Sequence, residues 1–163
     1  MSNNRLTTLR NEFAKSTNTI NMFVWLENKI FKNENEKYEI NRCNTMCCLL
    51  GFATMLPEFQ AEGLETNGSI PMFYNSKSDS MVGGVDAGAA FLGLDYRDAE
   101  ILFIPEYYPE DCKHGENAKQ EILRRLDHLI AGGASLEKFV PDQDLDDDPW
   151  DDYPIDELEG DQV

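Results

Sequence analysis

The sequence predicts a mainly α-helical domain, a compact helical bundle, over residues 1–140 and an acidic tail over residues 141–163. Two observations favour helices: apolar residues recur every three or four positions through most of the body, and Gly or Pro separates the resulting segments. A third observation sets the tail apart. Eleven of the 31 acidic residues lie in the last 23 positions, which contain no Lys or Arg. A body of this length can bury a core without disulfides or metals.

Two helices are predicted near the start of the chain. Leu6, Leu9 and Phe13 share one helical face, which predicts a helix over residues 4–15. A second helix is predicted near residues 20–31, where apolar side chains continue at helical spacing. Those side chains are Met22, Phe23, Trp25, Leu26 and Ile30.

A third helix is predicted over residues 45–56, with Asn44 or Thr45 as its N-cap. Its residues are apolar on nearly every side, and such a helix belongs at the centre of a bundle. Pro57 is expected to end it, because the residue before a proline avoids the α conformation.

A small β-hairpin is predicted near residues 62–73. The sequence Thr66-Asn-Gly-Ser69 is a turn signal between two short, partly apolar segments. Pro71 lacks a backbone N–H, so any strand that contains it is expected at a sheet edge.

A pair of helices is predicted over residues 84–92 and 96–103, with Asp95 as the N-cap of the second and Pro105 as its stop. The pair has the shape of a DNA-binding helix-turn-helix. Its second helix offers more carboxylates than cations, so we interpret it as a helical corner packed into the core.

The strongest amphipathic pattern predicts a helix over residues 116–131, ended by Gly132 and Gly133. Its inward residues are predicted to be Ile122, Leu126, Leu129 and Ile130, and its outward ones Lys119, Arg124 and Arg125. Ser135 is predicted to cap a last turn that carries Leu136 and Phe139.

The net charge limits the classes of partner. The chain has 14 basic residues against 31 acidic ones, a formal net charge of −17. Nucleic acids and anionic membranes are bound mainly through Lys and Arg, so no direct contact with either is expected. Basic protein surfaces are favoured instead. The start of the chain lacks the apolar segment of a secretory signal, and four cysteines in an ordinary core are typical of a reduced, cytoplasmic protein.

The cysteines suggest an alternative function. Cys43 and Cys47 lie one helical turn apart, and with Cys112 and His114 they could supply four ligands to Zn²⁺ or a reactive thiol. Their spacing matches no standard zinc motif, and a reduced buried cysteine is also simply a small apolar residue. We therefore expect no metal.

Part of the chain resembles a group of small, uncharacterised proteins found in phage and bacterial genomes. The resemblance covers roughly residues 20–105. It rests on Met22-x-x-Trp25, Cys43-x-Thr45-x-x-Cys48-x-x-Gly51-Phe-Ala53, Pro57-x-Phe59, Gly63-Leu64, Ala89-Ala90, Leu92-Gly-Leu94, Ala99, Leu102-Phe103 and Pro105. Members usually have Gly where this chain has Asn44 and Trp where it has Phe52. The resemblance implies a phage or mobile-element origin and no particular activity.

These observations predict a non-enzymatic interaction protein that needs no cofactor. Rows of carboxylates can replace phosphates against Lys and Arg, and aromatic side chains anchor interfaces, so the tail is expected to occupy the basic, nucleic-acid-binding surface of a host factor such as a defence protein. The predicted contact residues are Asp142, Asp144, Asp146, Asp147, Asp148, Trp150, Asp151, Asp152 and Tyr153. Two alternatives stay open: an enzyme that uses the zinc or thiol set, and a binder of a small ligand with a cationic pocket near Arg124 and Arg125. A tail that only increases solubility is an equally simple interpretation.

Overall fold

The fold combines α-helices with two small β-sheets. The computed structural model describes residues 2–17, 19–23, 26–27 and 46–141. The described helices are α1 (Ser2–Lys15), α2 (Leu49–Ala53), α3 (Pro57–Ala61), α4 (Val85–Leu92), α5 (Tyr96–Phe103) and α6 (Gly115–Ile130). The strands are β1 (Thr19–Ile20), β2 (Leu26–Glu27), β3 (Met46–Cys47), β4 (Glu65–Asn67), β5 (Ile70–Asn75) and β6 (Ser80–Gly83). The prediction of a mainly α-helical bundle is therefore wrong, and the protein is mixed α/β. No helix in the described ranges has the length and apolar character needed to cross a membrane.

The first helix is confirmed and packs against the last. Leu6, Leu9 and Phe13 are buried, as their spacing predicts. Arg10 donates two hydrogen bonds to Asp127 on α6, at 2.7 and 3.1 Å. The two longest described helices therefore lie side by side.

The helix predicted near residues 20–31 is wrong for the residues that the structure describes. β1 pairs in parallel with β3, and β2 pairs antiparallel with the other side of β3. Thr19 and Ile20 are β-branched, which favours an extended backbone. The Asn21 side-chain oxygen accepts the N–H of Phe23 (3.0 Å), and this local turn competes with a helix.

The central helix is shorter than predicted. Residues 46–47 form the middle strand of the first sheet, and Cys48 has an extended backbone at the N-cap of α2, with its sulfur accepting the Gly51 N–H (3.5 Å). Asn44 and Thr45 lie outside the described residues. The expected central position is confirmed, because all five residues of α2 are buried. The helix ends at Ala53, before Pro57, which instead begins α3.

The predicted hairpin is confirmed and extended by a third strand. β4, β5 and β6 form an antiparallel sheet in that order. One face packs on α4, where Phe73 meets Phe91 edge to face at 5.2 Å between ring centroids. Val82, opposite Phe73 in the register, lies on the same face.

Pro71 does not confine its strand to an edge, contrary to the prediction, since β5 is the middle strand. In an antiparallel strand the N–H and C=O of one residue point to the same side. The Pro71 carbonyl accepts the Gly84 N–H (2.9 Å), so the Pro71 nitrogen also faces Gly84, which lies just beyond the end of β6 at Gly83. The missing N–H therefore costs the sheet little.

The predicted helix pair is confirmed as α4 and α5. Gly93 ends α4 in the left-handed conformation, and the Asp95 side chain caps α5 by accepting the Asp98 N–H (2.8 Å). The helices approach closely at Gly88, where an added Cβ would lie 2.5 Å from Phe103 Cε2 and 3.1 Å from Leu50 Cδ2. This glycine therefore allows α4 to contact both α5 and α2.

Replacing Gly88 with Ala is expected to lower the free energy of unfolding by about 1–3 kcal/mol, because the new methyl group overlaps Phe103. Urea unfolding followed by circular dichroism measures the change. In the Gly88→Ala background, Phe103→Leu should cost less than it does alone, since the smaller side chain removes the overlap. Strictly additive effects would contradict the contact.

Candidate protein-binding surface

The residues that precede the acidic tail are held by a buried carboxylate. Asp98 on α5 accepts hydrogen bonds from the Leu136 N–H (2.7 Å) and the Ser135 hydroxyl (3.2 Å). Ser135 in turn accepts the N–H of Glu137 (3.2 Å), although the N-cap position of the turn is Leu136, one residue later than the predicted cap. Leu136 is fully buried. The turn Glu137–Phe139, called here the C-terminal turn, is thus fixed to the body.

Arg125 also holds this turn, and its predicted outward position is wrong. The side chain is fully buried and donates to the carbonyls of Ile101 (2.5 Å), Tyr107 (2.7 Å) and Phe139 (3.2 Å). Its Nε pairs with Glu121 (2.9 Å), which neutralises the buried charge. Helical spacing misleads here because α5, the turn that contains Tyr107 and the C-terminal turn cover this side of α6.

Arg97 forms a third attachment at the surface. Its Nε contacts Glu137 (2.6 Å), and its guanidinium group lies over the Tyr107 ring, 4.7 Å from the centroid. Glu137 and the Tyr107 hydroxyl both favour the charged form, so they raise the pKa of Arg97. Three side chains on α5 and α6 therefore hold the C-terminal turn, which precedes the acidic tail in the sequence.

The predicted contact residues themselves lie outside the described residues. These are Asp142, Asp144, Asp146, Asp147, Asp148, Trp150, Asp151, Asp152 and Tyr153. The structure describes the chain up to Pro141, two residues beyond the C-terminal turn. The contacts of residues 142–163 therefore stay predictions.

The described arginines form ion pairs within the chain. The described ranges contain 17 acidic and 10 basic residues, and each of the five arginines among them forms an ion pair. The pairs are Arg5 with Glu62, Arg10 with Asp127, Arg97 with Glu137, Arg124 with Glu121 and Arg125 with Glu121. Near Arg124 and Arg125, where the small-ligand alternative needs a cationic pocket, the Arg125 guanidinium is buried and both arginines pair with Glu121. The charge of the body therefore remains negative.

The thiols are in surroundings that disfavour the thiolate. Burial raises the pKa of the Cys48 thiol to about 11. Burial and the neighbouring charge of Asp111 raise the pKa of Cys112. Cys47 is fully buried, and Cys43 lies outside the described residues. Because the thiolate is the nucleophile and the metal ligand, these two shifts oppose both roles.

Cys48 is expected to resist alkylation in the folded protein. A thiol with a pKa of about 11 is ionised in roughly one molecule in a thousand at pH 8, and burial also blocks access. Mass spectrometry after iodoacetamide treatment should show Cys112 modified first and Cys48 modified only in urea. Equal labelling rates of Cys48 in native and unfolded protein would contradict its burial.

The proposed zinc ligands are not brought together by the described part of the chain. His114 is exposed at the N-cap of α6 and stacks near Phe23, with 5.4 Å between ring centroids. Cys47 is buried in the first sheet, and among the described residues no three His, Cys, Asp or Glu side chains cluster to hold a metal.

The second sheet has an exposed apolar face that the sequence patterns did not predict. Residues paired across strands share a face, which places Tyr74 beside Met81 and Met72 beside Gly83. Alternation adds Ile70 to the same side. About half of the Ile70 (48%), Tyr74 (48%) and Met81 (49%) side chains remains exposed. We call Ile70, Met72, Tyr74, Met81 and Gly83 the outer face.

Gly83 makes the outer face continuous. A Cβ at this position would lie 3.0 Å from the Met72 sulfur and 3.7 Å from Ile70 Cγ2. Both side chains therefore spread over the bare glycine backbone and contact it. A signal for this face was present in residues 70–74, which are apolar at every position. Such a run is typical of a strand covered on both sides.

Comparisons of the chain with protein-family models, with curated proteins and with solved structures found no match.

Proposed function

We propose that the protein is a non-enzymatic interaction protein that binds a basic, nucleic-acid-binding surface of another protein. The observation that carries this proposal is the distribution of charge. The described arginines are neutralised by internal carboxylates, while the last 23 residues contain eleven acids and no base. A partner therefore meets a net excess of negative charge, and opposite charges speed and orient the encounter.

The attachment of the tail supports its participation in binding. Asp98, Arg97 and Arg125 fix the C-terminal turn, so the acidic residues begin close to a defined place on the body. A tail rooted in this way stays at high effective concentration near any partner that the body contacts. The predicted anchors Trp150 and Tyr153 lie 9 and 12 positions beyond Pro141. The resemblance to phage proteins makes a host factor in the bacterial cytoplasm the partner that we favour.

The thiol- or zinc-dependent alternative would need a thiolate. Of its proposed cysteines, Cys112 has a raised pKa and Cys47 is fully buried, and both features oppose it. The small-ligand alternative would need a cationic pocket for a phosphorylated ligand, and the described arginines are engaged with carboxylates. Charge-driven protein binding is therefore the better supported proposal.

The test is a binding series with the full chain and a matched charge variant. The partner is first captured by cross-linking and identified, and then purified. The variant carries Asp→Asn at Asp142, Asp144, Asp146, Asp147, Asp148, Asp151 and Asp152, which keeps length and side-chain shape. Affinity for the purified partner should fall steeply with salt, since the Debye length shrinks from about 10 Å at 0.1 M to about 3 Å at 1 M.

The expected result has two further parts. The Asp→Asn variant should associate more slowly and dissociate at a similar rate, because peripheral charges act mainly on encounter. A DNA duplex should compete with the full chain for the partner. An affinity that is insensitive to salt, unchanged in the variant and unaffected by DNA would reduce the tail to a solubility device.

A further inference from the structure

We propose that the outer face of the second sheet is the docking surface for the partner, and that it takes a protein surface with an apolar centre bordered by Lys or Arg. This inference rests on the proposed function and adds to it the part of the body that meets the partner.

The composition of the outer face supports an interface. An antiparallel sheet with one solvated side normally presents polar residues there. This sheet presents Ile70, Tyr74 and Met81, three of the five large apolar side chains that are most exposed among the described residues. Contiguous exposed apolar patches mark interaction sites. Tyr is enriched among the residues that dominate binding energy, and Met adapts its shape to a partner.

The border of the outer face indicates the charge of the occupant. Glu65 stands opposite Met72 in the register, and Asp79 accepts a hydrogen bond from the Tyr74 hydroxyl at the β5–β6 turn. The hairpin 65–83 carries one cation, Lys77, in the same turn. Two carboxylates beside apolar side chains therefore match Lys or Arg at the border of a partner.

The charge of the whole chain argues against a second copy as the occupant. Two molecules that each carry −17 repel one another before any apolar contact forms. A basic partner experiences attraction from the same field. Apolar contact and long-range charge therefore act together only for a partner of opposite sign.

The first experiment asks whether the outer face is free in the full chain. Hydrogen peroxide oxidation followed by mass spectrometry reports on single methionines. Met81, about half exposed, should oxidise quickly, and the buried Met22 and Met55 should oxidise slowly as internal references. If Met81 oxidises slowly in the dilute monomer, the chain covers its own outer face. If Met81 oxidises slowly only at concentrations where sedimentation shows a dimer, a second copy covers the face. Either result would overturn the proposal.

The second experiment separates apolar recognition from charge. The probes are two synthetic peptides with the same number of Lys residues, one with interspersed Leu and one with Ser in place of Leu. The full chain should bind the Leu/Lys peptide more tightly than the Ser/Lys peptide. The double variant Ile70→Ser/Met81→Ser should lose about tenfold or more in affinity for the Leu/Lys peptide, since truncation of central interface side chains typically costs this much.

Matched controls distinguish failure of the docking surface from failure of the proposed function. Tyr96→Ser removes an equally exposed aromatic side chain (52%) elsewhere on the surface and should leave both affinities unchanged. Binding of the Ser/Lys peptide should be the same in all variants and should weaken with salt. Salt-dependent binding of both peptides with equal affinity, or a double variant that binds like wild type, would overturn the docking surface and leave the proposed function standing. Absence of salt-dependent binding to either peptide would contradict the proposed function itself.

Discussion

Replacing Leu50 with Asp is expected to unfold the domain. Leu50 is fully buried in α2 and lies near both Gly88 and the Phe103 ring. Losing a buried Leu costs about 2–5 kcal/mol, and burying an unpaired carboxylate costs several more. The sum reaches the total stability of a typical domain, which is about 5–15 kcal/mol.

Circular dichroism and a thermal melt test this prediction, with Leu50→Met as the matched control. Methionine nearly conserves the volume and adds no charge, so that variant should remain folded and lose less than about 1.5 kcal/mol. An unchanged melting temperature for Leu50→Asp would mean that α2 is not at the centre of the fold.

Arg125→Ala is expected to lower the free energy of unfolding by about 3–5 kcal/mol, because it removes one partner of a buried ion pair. The carbonyls of Ile101, Tyr107 and Phe139 would each lose a donor as well. Arg125→Lys should recover only part of the loss, since an ammonium group cannot reach three carbonyls and Glu121 in the fixed geometry of a guanidinium.

The neighbouring arginine provides the matched control. Arg124 pairs with the same carboxylate, but its side chain is 64% exposed. Arg124→Ala should therefore cost no more than about 1 kcal/mol. Urea unfolding of both alanine variants measures the difference. Equal midpoints would show that the two arginines have similar surroundings and that Arg125 does not hold the C-terminal turn.

The dual role of Arg125 affects how function should be tested. Its Phe139 contact attaches the C-terminal turn, so an Arg125 variant would loosen the root of the tail and destabilise the fold together. The Asp→Asn variant of the tail changes charge outside the described core and should leave the unfolding midpoint close to that of wild type. Binding differences in that variant can then be assigned to charge.

Local chemistry made several elements predictable. The tight turn within Thr66-Asn-Gly-Ser69, Asp95 as an N-cap, and the spacing of Leu6, Leu9 and Phe13 each act within a few residues. The structure confirms each of these elements because neighbouring groups in the sequence satisfy them. The charge of the tail is equally predictable from the sequence, since eleven acidic residues without a basic one repel one another in any fold.

The helix predicted near residues 20–31 shows where periodicity is insufficient. Met22 is buried, as its spacing suggests, but it lies in a turn and not in a helix. Its backbone N–H donates to the carbonyl of Lys113 (3.0 Å), more than ninety positions away. Apolar spacing predicts that a side chain is buried. It does not predict which residue the backbone N–H or C=O of that position will bond. The first sheet therefore could not be predicted from either of its segments alone.

The charge asymmetry, the local turns and caps, and the set of apolar residues that are buried follow from the order of the amino acids. Which distant groups meet depends on the folded chain: β3 lies between two strands from the start of the chain, Arg125 lies among three carbonyls, and α4 covers only one of the two apolar faces of the second sheet. The physical reason is that burial and pairing depend on distances between segments remote in sequence. The outer face, the proposed docking surface, arises because no other described element covers the second apolar side of β5.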